Sequence, residues 1–67
     1  MRMDDIMAVL AGNGPMSTVD ILLALGLEVS SNHRAEVHNR MRRLCELGKA
    51  RRVGYGLHYA TIWEAVE

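Results

Sequence analysis

Residues 41–53 read Met41-Arg42-Arg43-Leu44-Cys45-Glu46-Leu47-Gly48-Lys49-Ala50-Arg51-Arg52-Val53, and the hydrophobic period changes inside this stretch. Before Gly48 the period is helical. Val37, Met41, Leu44 and Leu47 recur three and four apart, a spacing that stacks side chains on one helix face. After Gly48 the pattern turns strand-like. Lys49–Val53 and Leu57–Trp63 flank Gly54-Tyr55-Gly56, which predicts a hairpin with a three-residue loop. A helix that ends at a glycine and passes directly into a hairpin predicts an α+β chain.

Working toward the N-terminus, Ser30-Ser31-Asn32 offers cap residues for this helix, which is expected over about residues 32–47. At about 100° per residue, its face opposite Val37 carries Asn32, Ala35, Asn39, Arg42 and Glu46, with Glu36 and Arg43 beside them. Glu36–Arg40 and Arg42–Glu46 have the i,i+4 spacing of ion pairs that neutralise part of such a face. Upstream, Ser17-Thr18-Val19-Asp20 has the capping-box form, with Ile21, Leu22 and Leu25 as the apolar stripe behind it. Gly26 fits a left-handed helix stop with Leu27 folding back onto the helix. A first helix follows from Met3, Ile6, Met7 and Leu10, with Asp4 and Asp5 at its positive end. Gly12-Asn13-Gly14-Pro15 stops it, and Met16 adds a short strand. The expected order is helix, helix, helix, hairpin, without an internal repeat or linker.

The chain has 67 residues, 49% of them hydrophobic, which predicts one domain over 1–67 without room for a second core. A domain this small buries only about 60% of its unfolded surface. Association into a dimer or larger complex would add stability. The lone cysteine, Cys45, cannot form an internal disulfide, so an intracellular, cytoplasmic protein is expected. No apolar run approaches the roughly 20 residues of a membrane helix, the longest being Ile21–Leu27. The short stretch Ile6–Ala11 follows two aspartates, where a signal peptide would be basic.

Net charge is zero, but the charges are segregated. Residues 1–30 hold Arg2 against Asp4, Asp5, Asp20 and Glu28. Residues 31–59 hold Arg34, Arg40, Arg42, Arg43, Lys49, Arg51 and Arg52 against only Glu36 and Glu46. Such a concentration of bases points to a polyanionic partner.

The order of elements, and the residues Ser17–Leu25, Gly26-Leu27, Val37, Met41-Arg42-Arg43-Leu44, Leu47-Gly48 and Arg51-Arg52-Val53, resemble a winged helix-turn-helix domain. Such domains are common in bacterial, archaeal and phage transcription regulators. The resemblance covers about residues 3 to 63. It implies that the third helix is a recognition helix and the 49–63 hairpin a wing. One departure stands out: about four more residues separate Gly26 from Leu44 than the resemblance leads one to expect. Either the turn after the second helix is long, or the third helix gains a turn at its start.

Side-chain chemistry supports the same partner independently of the resemblance. A helix fits the B-DNA major groove, where arginine and asparagine match the edges of guanine and adenine. The base-edge candidates are Asn39, Arg42, Arg43 and Asn32, with Asn39 and Arg42 preferred over His33 or Arg34. Phosphate or wing contacts fall to Lys49, Arg51, Arg52, Tyr55 and His58, because cations and exposed amides meet the DNA backbone. Arg51 and Arg52 cannot both point to one side of a strand, so one of them braces the protein.

Other chemistries find little footing. His33, His38, His58 and Cys45 lack metal-ligand spacing, so no metal is expected. No nucleophile–base pair or phosphate-binding glycine loop stands out, so no enzyme activity and no cofactor are expected. Met3, Met7 and Met41 belong to apolar faces, Cys45 packs as a small apolar residue, and Trp63 anchors the hairpin on the helices. The expected function is double-stranded DNA binding by a small transcriptional regulator, alone as a homodimer or with a partner protein. Two rivals remain: a protein-interaction winged-helix adaptor, and a phage or mobile-element architectural protein that bends DNA.

Overall fold

The computed structural model describes residues 1–66, with Tyr59 placed by its backbone. The chain runs α1 (Met3–Asn13), β1 (Met16–Ser17), α2 (Thr18–Ala24), α3 (Ser31–Glu46), β2 (Ala50–Tyr55), a single 3-10 turn (Leu57–Tyr59) and β3 (Thr61–Ala65). The strands form an antiparallel sheet in the order β1-β3-β2. Three helices followed by a hairpin that closes on a strand from between the first two helices make a small winged helix-turn-helix fold.

Local signals place the helix ends. Ser17 Oγ accepts from the Asp20 N–H at 3.1 Å while Asp20 Oδ2 accepts from the Ser17 N–H at 3.3 Å. Two donors left free at the start of α2 are thereby satisfied. Gly26 (φ 73°) donates to the Leu23 carbonyl at 3.0 Å, and Leu27 donates to that of Leu22 at 3.0 Å. Gly48 (φ 74°) ends α3 the same way, with bonds from Gly48 to Cys45 at 3.0 Å and from Lys49 to Leu44 at 2.9 Å. This double-bonded stop needs a left-handed residue, which glycine adopts without the usual side-chain penalty of about 1–2 kcal/mol.

The stretch between Gly26 and Leu44 comprises most of a six-residue connection and most of a long helix. Residues 25–30 connect α2 to α3, and α3 runs for 16 residues, about 24 Å. Ser30 caps it, its Oγ accepting from the His33 N–H at 3.1 Å. His33 Nδ1 in turn donates to the Glu28 carbonyl at 2.6 Å. The long turn is therefore tied to the first turn of α3 by a side chain.

One face of each helix meets the sheet. Ile6 and Leu10 of α1, Ile21 and Leu22 of α2, and Val37, Met41 and Leu44 of α3 are buried with Met16, Ala50 and Trp63 from the strands. Met3, Met7 and Cys45 pack against this core from its edge. Leu47 departs from expectation: it is 45% exposed. Relative to Val37, Met41 and Leu44 lie within about 40° on the helix wheel, whereas Leu47 lies about 80° away. The helix also ends there, so nothing covers it.

The hairpin also differs from its sequence reading. Gly54 and Tyr55 belong to β2, and the connection is Gly56–Ala60 rather than Gly54-Tyr55-Gly56. Arg52 pairs with Trp63 and Gly54 with Ile62, so Val53 is an extra residue in a β-bulge. The turn itself is closed by the Gly56 N–H donating to the Ala60 carbonyl at 2.8 Å. Residues 57–60, expected in the second strand, instead form the tip.

This placement of the core generates a stability test. At about 0.05–0.15 kcal/mol per residue, a chain of this length holds roughly 3–10 kcal/mol of stability. Val37→Asp or Leu44→Asp buries an unpaired carboxylate and should abolish cooperative thermal unfolding, measured by circular dichroism. Arg42→Ala should leave the unfolding free energy within about 0.5 kcal/mol of the parent. An Arg42→Ala loss as large as the core variants would contradict the assigned helix faces.

Candidate nucleic-acid interface

The site is built around Trp63. Its ring is 2% exposed, and its Nε1 donates to Thr18 Oγ1 at 3.1 Å. His38 of α3 meets the same ring edge-on, with centroids 5.4 Å apart and planes at 67°. One side chain thus joins the start of α2, the middle of α3 and the centre of the sheet. These contacts set where the hairpin lies relative to the exposed face of α3.

Two open clefts result, one on each side of His38. The first lies among Ser17, Thr18 and Val19 at the start of α2, Arg34, Ala35, His38 and Asn39 on α3, and Leu57, His58, Ala60 and Thr61 at the hairpin tip. The second lies between His38, Arg42, Cys45 and Glu46 of α3 and the strand residues Ala50, Arg51, Arg52 and Trp63. The outward face of α3 and the hairpin therefore border the same open surface.

Ion pairing sorts the bases of residues 31–59 into two sets. Arg40 pairs with Glu36 at 3.4 Å, Arg43 with Glu46 at 3.1 Å, and Arg51 with Glu64 across the strands. Among the described residues, Arg34, Arg42, Lys49 and Arg52 have no acidic partner. Three of these four, Arg34, Arg42 and Arg52, line the clefts. The expected Arg42–Glu46 pair is replaced by Arg43–Glu46 at i,i+3 spacing.

The candidates from sequence are placed as follows. Asn39 and Arg42 are exposed on α3 and line the two clefts; Asn32 is exposed in the first turn, outside both. Arg43 is held to one side by Glu46. Lys49 is exposed in the turn after α3. Both strand arginines border the second cleft, and register separates their partners: Arg51 opposes and pairs with Glu64, bracing the sheet, whereas Arg52 opposes Trp63 and has no acidic partner among the described residues. The Arg52 guanidinium lies 5.8 Å from the centroid of the exposed Tyr55 ring, within cation–π range. His58 is exposed at the tip and borders the first cleft. Its left-handed backbone (φ 57°, ψ 30°) carries a strain of about 1–2 kcal/mol for a residue with a side chain.

The sequence reading missed Arg34, His38, Thr18 and Leu57 as cleft residues. Arg34, His38 and Arg42 follow one another at i,i+4 spacing, a ridge visible in the sequence once the third helix starts at Ser31. Thr18 and Leu57 left no such signal, because their position depends on how the hairpin packs against α2. Comparison of the chain with protein-family models, curated proteins and solved structures finds no match.

Cys45 offers a reporter inside the second cleft. Burial pushes its thiol above the ordinary range, and the Arg52 guanidinium pulls it partway back by stabilising the thiolate. Arg52→Ala should therefore raise the thiol pKa further, read from the pH dependence of alkylation by iodoacetamide. An unchanged value in that variant would show that Arg52 does not act on Cys45.

Proposed function

We propose that this domain binds double-stranded DNA, with α3 in the major groove and the 49–63 hairpin as a wing, and serves as a small transcriptional regulator. The observation that carries the reading is the convergence of Arg34, Arg42 and Arg52, uncompensated among the described residues, on the clefts where α3 meets the hairpin. A helix about 10–12 Å across suits a major groove about 12 Å wide. Asn39 and Arg42 project from the side of α3 away from the core and are suited to base edges. Arg52 borders the same cleft as Arg42, Lys49 is exposed in the turn after α3, and both are suited to phosphates. Arg51, tied to Glu64, has the smaller share.

A single module of this type covers about 600–1,000 Å², a modest fraction of the 4479 Å² surface. Sequence-specific control by so small a footprint is best served by a second copy on a neighbouring half-site, or by a partner protein. The reading needs no metal and no cofactor.

Salt provides the first test. Three or four phosphate contacts give a log–log dependence of affinity on salt of about −3, at −0.9 per phosphate. Fluorescence anisotropy with a random duplex should show that slope. A flat response, or no binding at low salt, would favour the adaptor reading. The second test uses a duplex recovered by selection, compared with a scrambled one. Arg42→Ala or Asn39→Ala should cost about 1–3 kcal/mol on the selected duplex and relax preference at one position. Lys49→Ala or Arg52→Ala should weaken both duplexes alike and lower the salt slope by about one. Loss of preference in the hairpin variants, with preference kept in the α3 variants, would make the wing the reader.

A further inference from the structure

Leu57 is the most exposed large apolar residue among those described, at 87%, and it occupies the hairpin tip. Its position is fixed by the backbone around it. The Gly56 N–H donates to the Ala60 carbonyl at 2.8 Å, and the Ala60 N–H donates to the Leu57 carbonyl at 3.2 Å. His58 adopts a left-handed conformation between them. Ile62 packs close behind the turn: a Cβ begun at Gly56 would sit 3.1 Å from Ile62 Cδ1, and the isoleucine would have to give by a few tenths of an ångström. A turn held in this way presents Leu57 outward instead of letting it collapse on the core.

Leu57 and His58 also border the cleft that holds Arg34 and Asn39. The tip is therefore on the same side as Asn39, one of the two proposed base readers. Arg34, without an acidic partner among the described residues, lines this cleft, and Arg42 and Arg52 line the next one across His38, so the occupant that matches this side electrostatically is a polyanion rather than an apolar protein pocket. On a polyanion with stacked bases, an exposed leucine has one favourable place to go. Apolar side chains that enter the minor groove wedge between base pairs and bend the duplex by about 20–90°.

We infer that Leu57 is such a wedge: it enters the minor groove next to the major groove occupied by α3, partly unstacks one base step and bends the DNA. This rests on the DNA-binding reading. It adds to it a deformation that lets a small domain discriminate sequences by the flexibility of a step it does not read by hydrogen bonds. Pyrimidine–purine steps such as TA unstack most easily and are the preferred target.

The test uses the full chain and a duplex of about 30 base pairs recovered by selection, labelled at both ends for energy transfer. The wild-type protein should bring the ends closer, with a bend of about 20° or more. Leu57→Ala should still bind with the same salt slope, since no charge is removed, but leave the duplex nearly straight. Leu57→Met should restore the bend. A mismatch at the wedged step removes an unstacking cost of a few kcal/mol and should tighten wild-type binding by at least about tenfold, with little gain for Leu57→Ala. If the wild type binds a duplex that stays straight, or if Leu57→Ala bends it equally, the wedge is overturned and DNA binding stands. If no duplex is bound at low salt, both readings fall together.

Discussion

The arrangement depends on Trp63 more than on any other side chain. The chain contains no phenylalanine, so this indole supplies the largest apolar surface that the sheet offers to the helices. Its burial against the helix side places the hairpin, and its Nε1 bond to Thr18 ties that placement to the start of α2. The edge-on contact with His38 ties it to α3 as well. A polar handle on a large ring can do this because the buried N–H must find an acceptor, which selects one orientation among those that apolar burial alone would allow.

The neutral net charge is compatible with a basic face because the acids have local duties. Asp4 and Asp5 sit in the first turn of α1, and Asp20 completes the capping box of α2. There carboxylates favour the positive end of the helix dipole. Glu36, Glu46 and Glu64 pair with Arg40, Arg43 and Arg51. Exposed pairs of this kind add little stability, on the order of 0–1 kcal/mol each. Their larger effect is to divide the arginines into those already engaged and those left available. Among the described bases of residues 31–59, those left uncompensated are Arg34, Arg42, Lys49 and Arg52, three of which line the clefts where α3 and the hairpin meet.

Much was legible in the sequence. The capping box at Ser17, the glycine stops at Gly26 and Gly48, and the stripe of Val37, Met41 and Leu44 are signals written within one turn or one helix. Their physics is local: a hydroxyl three residues from an amide, a position that tolerates positive φ, a period of 3.6. The outward direction of Asn39 and Arg42 follows from the same helical period.

The tertiary structure alone decided where the hairpin turns and what it faces. Glycines mark both turns and bulges, so the sequence alone places a loop at Gly54-Tyr55-Gly56, whereas pairing with β3 puts Gly54 opposite Ile62 and the turn at residues 56–60. Alternation along a strand shows that Arg51 and Arg52 point to opposite sides, but only the register shows which one meets Glu64. The cleft membership of Thr18, His38 and Leu57 likewise depends on contacts between distant segments. Helix starts, stops and faces are set by neighbours within about four residues and can be read in one dimension. Strand register and the meeting of a hairpin with a helix are set by which surfaces bury Trp63, and that choice exists only in the folded chain.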